Sequence, residues 1–353
     1  MAERILMKGN EAIAEAAILA GCRHYFGYPI TPQTEIAAYM AKKMPKIGGV
    51  FLQAESEIAS INMVYGAAAA GMRVMTSSSS PGISLKAEGL SYLAGSDIPA
   101  FVVNVQRGGP GLGGIQPSQC DYFQATKGGG HGDYRMIVLA PASVQEMASL
   151  TVHGFNLADK YLMTSMILAD GTIGQMMEPI SFEDIKIENV EKPWALTGTN
   201  CERPHNIVNS LYLKPEELER KNFERFEKYK QIEETESMWE EYMVDDAEIC
   251  VVAFGIAARV AKNAVVAARE KGIKVGLIRP ITLWPFPTKP LKALADRVDS
   301  FISVELSMGQ MIEDVKLATD CKKPVYLCNR CGGMIPSPEE VLKAIENAKK
   351  GAL

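Results

Sequence analysis

Short apolar runs alternate with longer amphipathic segments through most of the chain. Apolar runs with the length and composition of buried β-strands lie at 24–28, 49–52, 73–76, 98–105, 136–139 and 163–168. The segments between them place apolar residues three or four positions apart, which predicts helices. Strands that alternate with helices predict an α/β fold, with a parallel, doubly wound sheet of about six strands and right-handed crossovers.

The composition changes near residue 191. Residues 213–243 are rich in Glu and Lys and have few apolar anchors, which predicts helical connecting structure. A second, smaller β/α run follows, with strands predicted near 249–254, 273–278, 300–305 and 324–328. We therefore expect a first domain over 1–190, a helical connecting segment over 191–246 and a second α/β domain over 247–353.

Two carboxylates, Glu55 and Glu57, lie at or just before the start of the helix that follows the second predicted strand. Helical spacing places Glu57 on one stripe with Ile61, Val64 and Ala68, so its side chain points into apolar surroundings. A carboxylate at a helix start is often only a cap favoured by the helix dipole. Burial of a lone carboxylate is costly without a partner, however. Glu57 is therefore the first candidate for a catalytic residue.

Further polar residues follow neighbouring predicted strands. Thr31 precedes Pro32 and is predicted to cap the next helix, where its hydroxyl could also meet an anion. A serine-rich loop at 77–82 enters another helix, and Arg107 follows the apolar run at 98–105. Because ligands of open α/β sheets bind beyond the carboxyl ends of the strands, we expect a ligand role for Arg107, and the serine-rich loop is a place where a polar ligand could be held.

The bulk composition excludes several classes of protein. A net charge of −5 provides no basic face for nucleic acid. No apolar run has the length of a membrane span. Seven cysteines scattered over 353 residues suit a reducing compartment better than a disulfide framework. We therefore expect a cytoplasmic globular protein that binds neither nucleic acid nor membrane.

Three motifs resemble cofactor or metal sites but lack the necessary context. The glycine-rich loop at 108–114 is interrupted by a proline and opens no helix, so it is not a dinucleotide fingerprint. Cys328 and Cys331, with Cys321 upstream, invite assignment as an iron–sulfur or zinc site. Such a site needs four ligands, and no fourth cysteine is near in sequence. Asp170, with Asn200 downstream, only partly matches a magnesium–diphosphate motif, because no clean helix is predicted after it. We expect no metal on this chain.

Six motifs spread over both halves carry a resemblance to a known family. They are GYPITPQTE at 27–35, AESEIA at 54–59, TSSSSPG at 76–82, RGGPG at 107–111, QPSQCDYFQATKGGGHGD at 116–133 and RPITLWPFP at 279–287. Together they resemble the α subunit of 2-oxoacid:ferredoxin oxidoreductases, most of all the branched-chain, 2-oxoisovalerate subgroup. Cys120 departs from the family pattern, which has a small residue such as glycine there.

The resemblance implies a pyrimidine-binding thiamine diphosphate domain over 1–190 and a transketolase C-terminal-like domain over 247–353. Glu57 would accept a hydrogen bond from the aminopyrimidine ring and so support loss of the thiazolium proton. Thr31 and Arg107 would bind the 2-oxoacid carboxylate, with Arg107 making a charge-assisted contact. The cofactor-binding residues implied in this way are Glu57, Ile30, Ser79, Ser80 and Gly82.

The resemblance also implies that this chain is one part of a complex. A β subunit would carry the diphosphate and Mg²⁺ motif, and γ and ferredoxin-like δ subunits would complete the assembly, with the iron–sulfur clusters on partner subunits only. The reaction would convert a 2-oxoacid and coenzyme A to acyl-coenzyme A and carbon dioxide while ferredoxin is reduced. The alternatives are the same chemistry on 2-oxoglutarate or pyruvate, or a non-catalytic assembly subunit. A second substrate carboxylate would need a further cation, for which Lys86, Lys127 and His131 are candidates.

Overall fold

A computed structural model describes residues 4–183 and 185–351, so the ends of the predicted domains at residues 1 and 353 lie outside it. The first half contains β1 (Ile5–Lys8), α1 (Gly9–Leu19), β2 (His24–Gly27), α2 (Thr34–Lys43), β3 (Val50–Gln53), α3 (Glu57–Ala69), β4 (Val74–Ser78), α4 (Ser80–Gly95), β5 (Ala100–Gln106), α5 (Tyr122–Thr126), β6 (Ile137–Leu139), α6 (Val144–Tyr161), β7 (Thr164–Asp170), α7 (Gly171–Gln175) and β8 (Met177–Ile180). The second half contains α8 (Pro215–Thr235), β9 (Trp239–Tyr242), β10 (Ile249–Ala253), α9 (Gly255–Glu270), β11 (Val275–Pro280), β12 (Thr282–Trp284), α10 (Thr288–Ala295), β13 (Ser300–Glu305), α11 (Met311–Ala318), β14 (Val325–Asn329) and α12 (Pro338–Lys349).

A seven-stranded sheet forms the centre of the first half, in the order β12-β6-β7-β5-β4-β2-β3. All its neighbouring strands pair in parallel except β12, which pairs antiparallel with β6. The apolar runs of the central strands are buried on both faces because helices cover the sheet, as in other doubly wound folds. The predicted α/β fold class is therefore confirmed. The edge strand β12 comes from the second half of the chain and was not predicted.

A five-stranded sheet in the order β14-β13-β10-β11-β9 forms the second half. Its strands β10, β11, β13 and β14 lie where the apolar runs predicted them. The prediction for 213–243 is only partly right, because α8 ends at Thr235 and β9 follows. Glu240 of this strand lies opposite Arg279 on β11, and the Arg279 Nε donates to the Glu240 carboxylate at 2.8 Å, which supports the pairing of the two strands. The domain limits at 190 and 246 stay predictions.

The helix start predicted at Thr31 is wrong. The Gln33 amide donates to the Ile30 carbonyl oxygen at 3.2 Å and closes a turn, so α2 begins only at Thr34. The sequence pattern suggested a cap because Pro32 suits the first position of a helix, but here it lies inside the turn. The Thr31 side chain is consequently exposed and caps nothing.

The loop that follows β5 is held by the second half of the chain. Gln119 Nε2 donates to the Phe254 carbonyl oxygen at 2.9 Å, and the Leu306 amide donates to Gln119 Oε1 at 3.1 Å. The Tyr122 hydroxyl donates to the Asp314 carboxylate at 2.6 Å. The second half therefore positions the loop next to the candidate site. None of the described helices is both long and apolar enough to cross a membrane.

Candidate active site

The predicted site residues follow four adjacent strands at one edge of the seven-stranded sheet. Thr31 follows β2, Glu57 follows β3, Gly82 follows β4 and Arg107 follows β5. Because β5, β4, β2 and β3 are neighbours and run parallel, the loops at their carboxyl ends meet at this edge. The structure thus places all four residues at the same edge, and their roles stay predictions.

Glu57 is the first residue of α3. The Ser56 hydroxyl caps this helix by accepting from the Ala59 amide at 3.1 Å, which fixes where the helix begins. The Glu57 side chain is only 6% exposed. Within residues 4–183 and 185–351, its carboxylate accepts no hydrogen bond that would meet the cost of burial. It is therefore a buried acceptor that a ligand with an N–H group could use.

Gly82 gives the Glu57 carboxylate the space it occupies. A Cβ atom at position 82 would lie 2.7 Å from Glu57 Oε1 and 2.0 Å from Ser78 Oγ. The hydroxyls of Ser78 and Ser79 are buried and have no hydrogen-bond partner within the described residues. The turn from β4 into α4 therefore forms a cradle with a carboxylate and two free hydroxyls beside it.

The Arg107 guanidinium is buried beside this cradle, with the whole residue 7% exposed. Its Nη1 donates to the Thr31 carbonyl oxygen and its Nη2 to the Leu112 carbonyl oxygen, both at 3.1 Å. Nε has no partner within the described residues, and no described carboxylate lies within ion-pair distance of the guanidinium. Two of its five N–H donors are used, so an anionic ligand could use the others and neutralise the charge. Thr31 takes part through its backbone carbonyl.

Ser80 has a different environment from Ser79. Its hydroxyl donates to the Asp121 carboxylate at 2.6 Å and accepts from the Arg107 amide at 3.0 Å. Burial raises the pKa of the Asp121 carboxyl, although hydrogen bonds from Ser80 and Asn104 lower it. The Ser80 side chain thus links the Arg107 loop to the start of α4, and Ile30 lies in the turn before α2.

A cleft of about 680 Å³ opens beside the Arg107 loop. Its lining includes Pro81, Leu85, Pro110, Cys120 and Asp121, with no Lys, Arg or His in the described lining. The described lining therefore combines apolar residues with polar ones, including the Asp121 carboxylate, and carries no positive charge. A second carboxylate on a ligand would find no cation there.

The other two residues considered from the sequence as cations for a second substrate carboxylate, Lys127 and His131, make contacts outside the cleft. Lys127 forms an ion pair with Asp314 at 2.5 Å. The His131 carbonyl oxygen accepts from the Ser91 hydroxyl at 2.5 Å, and its ring lies edge-on to Tyr92 at 6.1 Å between centroids. Neither lines the cleft, so neither neutralises a ligand there.

The sequence did not predict the position of the Lys86 side chain, which was a candidate cation for a second substrate carboxylate. Its side chain is completely buried between α3 and α4, where its ammonium contacts the first turn of α3. A signal was present, because Gly82, Lys86 and Gly89 share one face of α4. A small-residue face brings two helices close enough for the lysine to reach across.

One of the motifs set aside from the sequence has a structural role. Asp170 does begin a helix, contrary to expectation, because its carboxylate accepts from the Thr172 amide at 2.9 Å and caps the five-residue α7. Burial raises the pKa of Asp170 to about 6. Among residues 4–183 and 185–351, no group of three or more His, Cys, Asp and Glu residues could hold a metal ion.

Comparisons with known proteins cover both halves of the chain. The family described as pyruvate flavodoxin/ferredoxin oxidoreductase, thiamine diP-binding, matches residues 15–244, and pyruvate:ferredoxin oxidoreductase core domain II matches residues 247–341. Ketoisovalerate oxidoreductase subunit VorB of Methanothermobacter marburgensis is 54% identical over 96% of both chains. The 2-oxoglutarate synthase subunit KorA of Methanocaldococcus jannaschii is 37% identical over 96% of this chain and 98% of its own.

One solved structure is similar over nearly the whole chain. It is the 2-oxoglutarate:ferredoxin oxidoreductase from Magnetococcus marinus with 2-oxoglutarate, coenzyme A and succinyl-CoA bound. The TM-score is 0.88 at 32% sequence identity, and the match covers 98% of this chain. This chain spans 65% of the length of that solved chain.

Proposed function

Because the chain belongs to the 2-oxoacid:ferredoxin oxidoreductase family, we propose that it is the α subunit of a complex that oxidises 2-oxoisovalerate. The reaction converts 2-oxoisovalerate and coenzyme A to acyl-coenzyme A and carbon dioxide and passes two electrons to ferredoxin. The observation that carries this proposal concerns two buried residues at the same sheet edge. Within residues 4–183 and 185–351, Arg107 has no acidic partner and the Glu57 carboxylate accepts no hydrogen bond. A non-catalytic assembly subunit would have no use for either group.

The residues at the sheet edge fit thiamine diphosphate. Glu57 offers an acceptor to an aminopyrimidine N–H, and Gly82 leaves space above that carboxylate. The Ser79 hydroxyl has no hydrogen-bond partner in the part of the chain that the structure describes. We assign the pyrimidine side of the cofactor to Glu57, Ile30, Ser79, Ser80 and Gly82 of this chain. When bound, thiamine diphosphate supplies the carbon nucleophile for decarboxylation.

Each protein group has a defined task in this assignment. Glu57 accepts a hydrogen bond in a water-poor pocket, where its charge acts more strongly than it would in solvent. Arg107 donates to the substrate carboxylate and orients the neighbouring ketone, while its bonds to the carbonyl oxygens of Thr31 and Leu112 fix the guanidinium. Thr31 therefore contributes to substrate binding by positioning Arg107.

An apolar side chain on the substrate agrees with the cleft beside the Arg107 loop. This cleft presents Pro81, Leu85 and Pro110, and its described lining has no cationic residue. A second carboxylate, as in 2-oxoglutarate, would approach the Asp121 side chain instead of a cation. The higher identity to the ketoisovalerate subunit than to the 2-oxoglutarate subunit supports the same choice.

The remaining parts of the enzyme belong to other subunits. We assign the diphosphate and Mg²⁺ site to a β subunit and the iron–sulfur clusters to partner subunits that include a ferredoxin-like δ chain, with a γ chain completing a cytoplasmic complex. This division agrees with the sequence, because Asp170 only partly matches a magnesium–diphosphate motif and its carboxylate already caps α7.

The test is purification of the chain with its native partners, followed by a panel of 2-oxoacids assayed by ferredoxin reduction with coenzyme A. We expect kcat/KM to be highest for 2-oxoisovalerate, with pyruvate and 2-oxoglutarate at least about tenfold lower, which corresponds to a modest difference in apolar contacts. Equal or higher kcat/KM for 2-oxoglutarate would overturn the substrate assignment. Activity that persists in a complex without this chain would overturn the catalytic role.

A further inference from the structure

Lys86 has an environment that helix packing alone does not require. Gly82 and Gly89 lie on the same face of α4 and bring it against α3, where a Cβ at position 89 would lie 2.5 Å from Ile61 Cγ2. The Lys86 ammonium crosses this narrow interface with no exposure to solvent. It donates to the Glu57 carbonyl oxygen at 3.3 Å and to the Ser60 hydroxyl.

These hydrogen bonds do not explain why a lysine is needed. The Ser60 hydroxyl already donates to the Glu57 carbonyl oxygen at 2.9 Å, so both groups would keep a partner without Lys86. The first turn of a helix carries partial positive charge, and a cation there is disfavoured. Burial of the ammonium adds a further cost. The lysine therefore opposes stability in two ways, which is typical of residues retained for function.

The compensating charge is that of Glu57. The elements packed against α3 carry few titratable side chains. They are His24 and Tyr25 on β2 and Lys86, Glu88 and Tyr92 on α4, and Arg107 follows β5. Burial lowers the pKa of Lys86 to about 8, and the attraction of Glu57 raises it. Glu88 is exposed and accepts from Tyr92, and Arg107 is bonded to two carbonyl oxygens. Glu57 therefore supplies the negative charge that acts on the Lys86 ammonium.

We propose that Lys86 is a positioning residue for Glu57. The buried Lys86 ammonium supplies the countercharge for the Glu57 carboxylate and holds the first turn of α3 against α4. No direct ion pair joins the two side chains within the described residues, so the Glu57 carboxylate stays free for a ligand. This inference rests on the proposed function, because it is the role of Glu57 that Lys86 would support.

The first arm of the test measures the coupling of the two charges in the full chain without cofactor. Lysine labelled with ¹³C at the ε carbon is followed by NMR, and the Lys86 signal is assigned by its loss in Lys86→Arg. In Glu57→Gln the Lys86 signal should titrate at lower pH than in wild type, by about one pH unit for a charge several ångströms away. The matched control is Glu55→Gln, which removes an exposed carboxylate two residues earlier and should leave the signal unchanged. An unchanged titration in Glu57→Gln, or an equal change in Glu55→Gln, overturns the proposal.

The second arm measures deuterium exchange at the thiazolium carbon in the assembled complex without substrate. Lys86→Met should lower the exchange rate about tenfold, Lys86→Arg should restore it, and Lys86→Gln, which keeps a donor but no charge, should not. A purely structural role would instead make the rate follow thermal stability in all three variants. Wild-type exchange in Lys86→Met overturns the proposal. Wild-type exchange in Glu57→Gln contradicts the proposed function instead and leaves the NMR coupling as a separate result.

Discussion

Replacement of Gly82 by alanine should separate the stability of the chain from the function of Glu57. The new Cβ would lie 2.0 Å from Ser78 Oγ and 2.7 Å from Glu57 Oε1, both far below van der Waals contact. These two atoms lie at the ends of side chains, and neither accepts or donates a hydrogen bond within the described residues. They can therefore move aside without breaking an existing contact.

The net change in the free energy of unfolding depends on two opposing contributions, helix propensity and overpacking. Alanine is favoured over glycine inside a helix by about 1 kcal/mol. Overpacking of a filled site costs about 1–3 kcal/mol. The net loss in the free energy of unfolding should therefore be about 1 kcal/mol. A displacement of the Glu57 carboxylate by roughly 1 Å should lower cofactor activation on the order of 100-fold.

The assay pairs urea unfolding of the isolated chain with deuterium exchange at the thiazolium carbon in the assembled complex. Gly66→Ala is the matched control, because Gly66 is an exposed position of α3 and a Cβ there meets no atom within 4 Å. That variant should be more stable by up to about 1 kcal/mol and exchange at the wild-type rate. Wild-type exchange in Gly82→Ala would refute the claim that this glycine makes room for the catalytic carboxylate.

Three further predictions concern charge, metal and cofactor. The pKa of Lys86 falls from its ordinary value of 10.5 to about 8 in the folded chain, so the unfolded chain binds more protons between these pH values and stability should rise with pH there. The difference in unfolding free energy between wild type and Lys86→Met should change by up to about 3 kcal/mol across that window, and a constant difference would contradict it. Cys328 and Cys331 should hold no cluster, so the anaerobically purified chain should contain no stoichiometric iron and show no iron–sulfur absorption. The isolated chain should not bind thiamine diphosphate with Mg²⁺ tightly, and calorimetry that finds micromolar affinity would show that the diphosphate site is not on a partner.

Local patterns predicted the strands because burial on both faces favours apolar runs. The run is unbroken in β10, and in β5 only Asn104 and Gln106 are polar. The pairing of β12 with β6 could not be predicted in this way. It joins segments more than 140 residues apart, and the register Thr282↔Leu139 depends on how the two halves pack. Likewise β9 is a short edge strand whose polar sequence gives no period-2 apolar signal.

At the site, the sequence predicted which residues follow the strands and that the Glu57 side chain points inward, but not which groups of Thr31 and Lys86 make contacts. It identified Thr31 by its hydroxyl, whereas the structure uses its carbonyl oxygen to orient Arg107. It treated Lys86 as one of several cations that could face a substrate, whereas helix packing turns the ammonium toward α3. Both outcomes depend on tertiary contacts that no local pattern records.

The measurement that tests the central claim most directly is deuterium exchange at the thiazolium carbon in the assembled complex, for Glu57→Gln and Arg107→Ala. Glu57→Gln keeps the shape of the side chain but loses its charge, so exchange and turnover on every 2-oxoacid should fall on the order of 10²–10⁴-fold. Arg107→Ala should exchange at nearly the wild-type rate and lose kcat/KM equivalent to about 2–4 kcal/mol, because the arginine binds the substrate. Wild-type exchange in Glu57→Gln, or loss of exchange in Arg107→Ala with substrate binding intact, would contradict the assignment of these two residues.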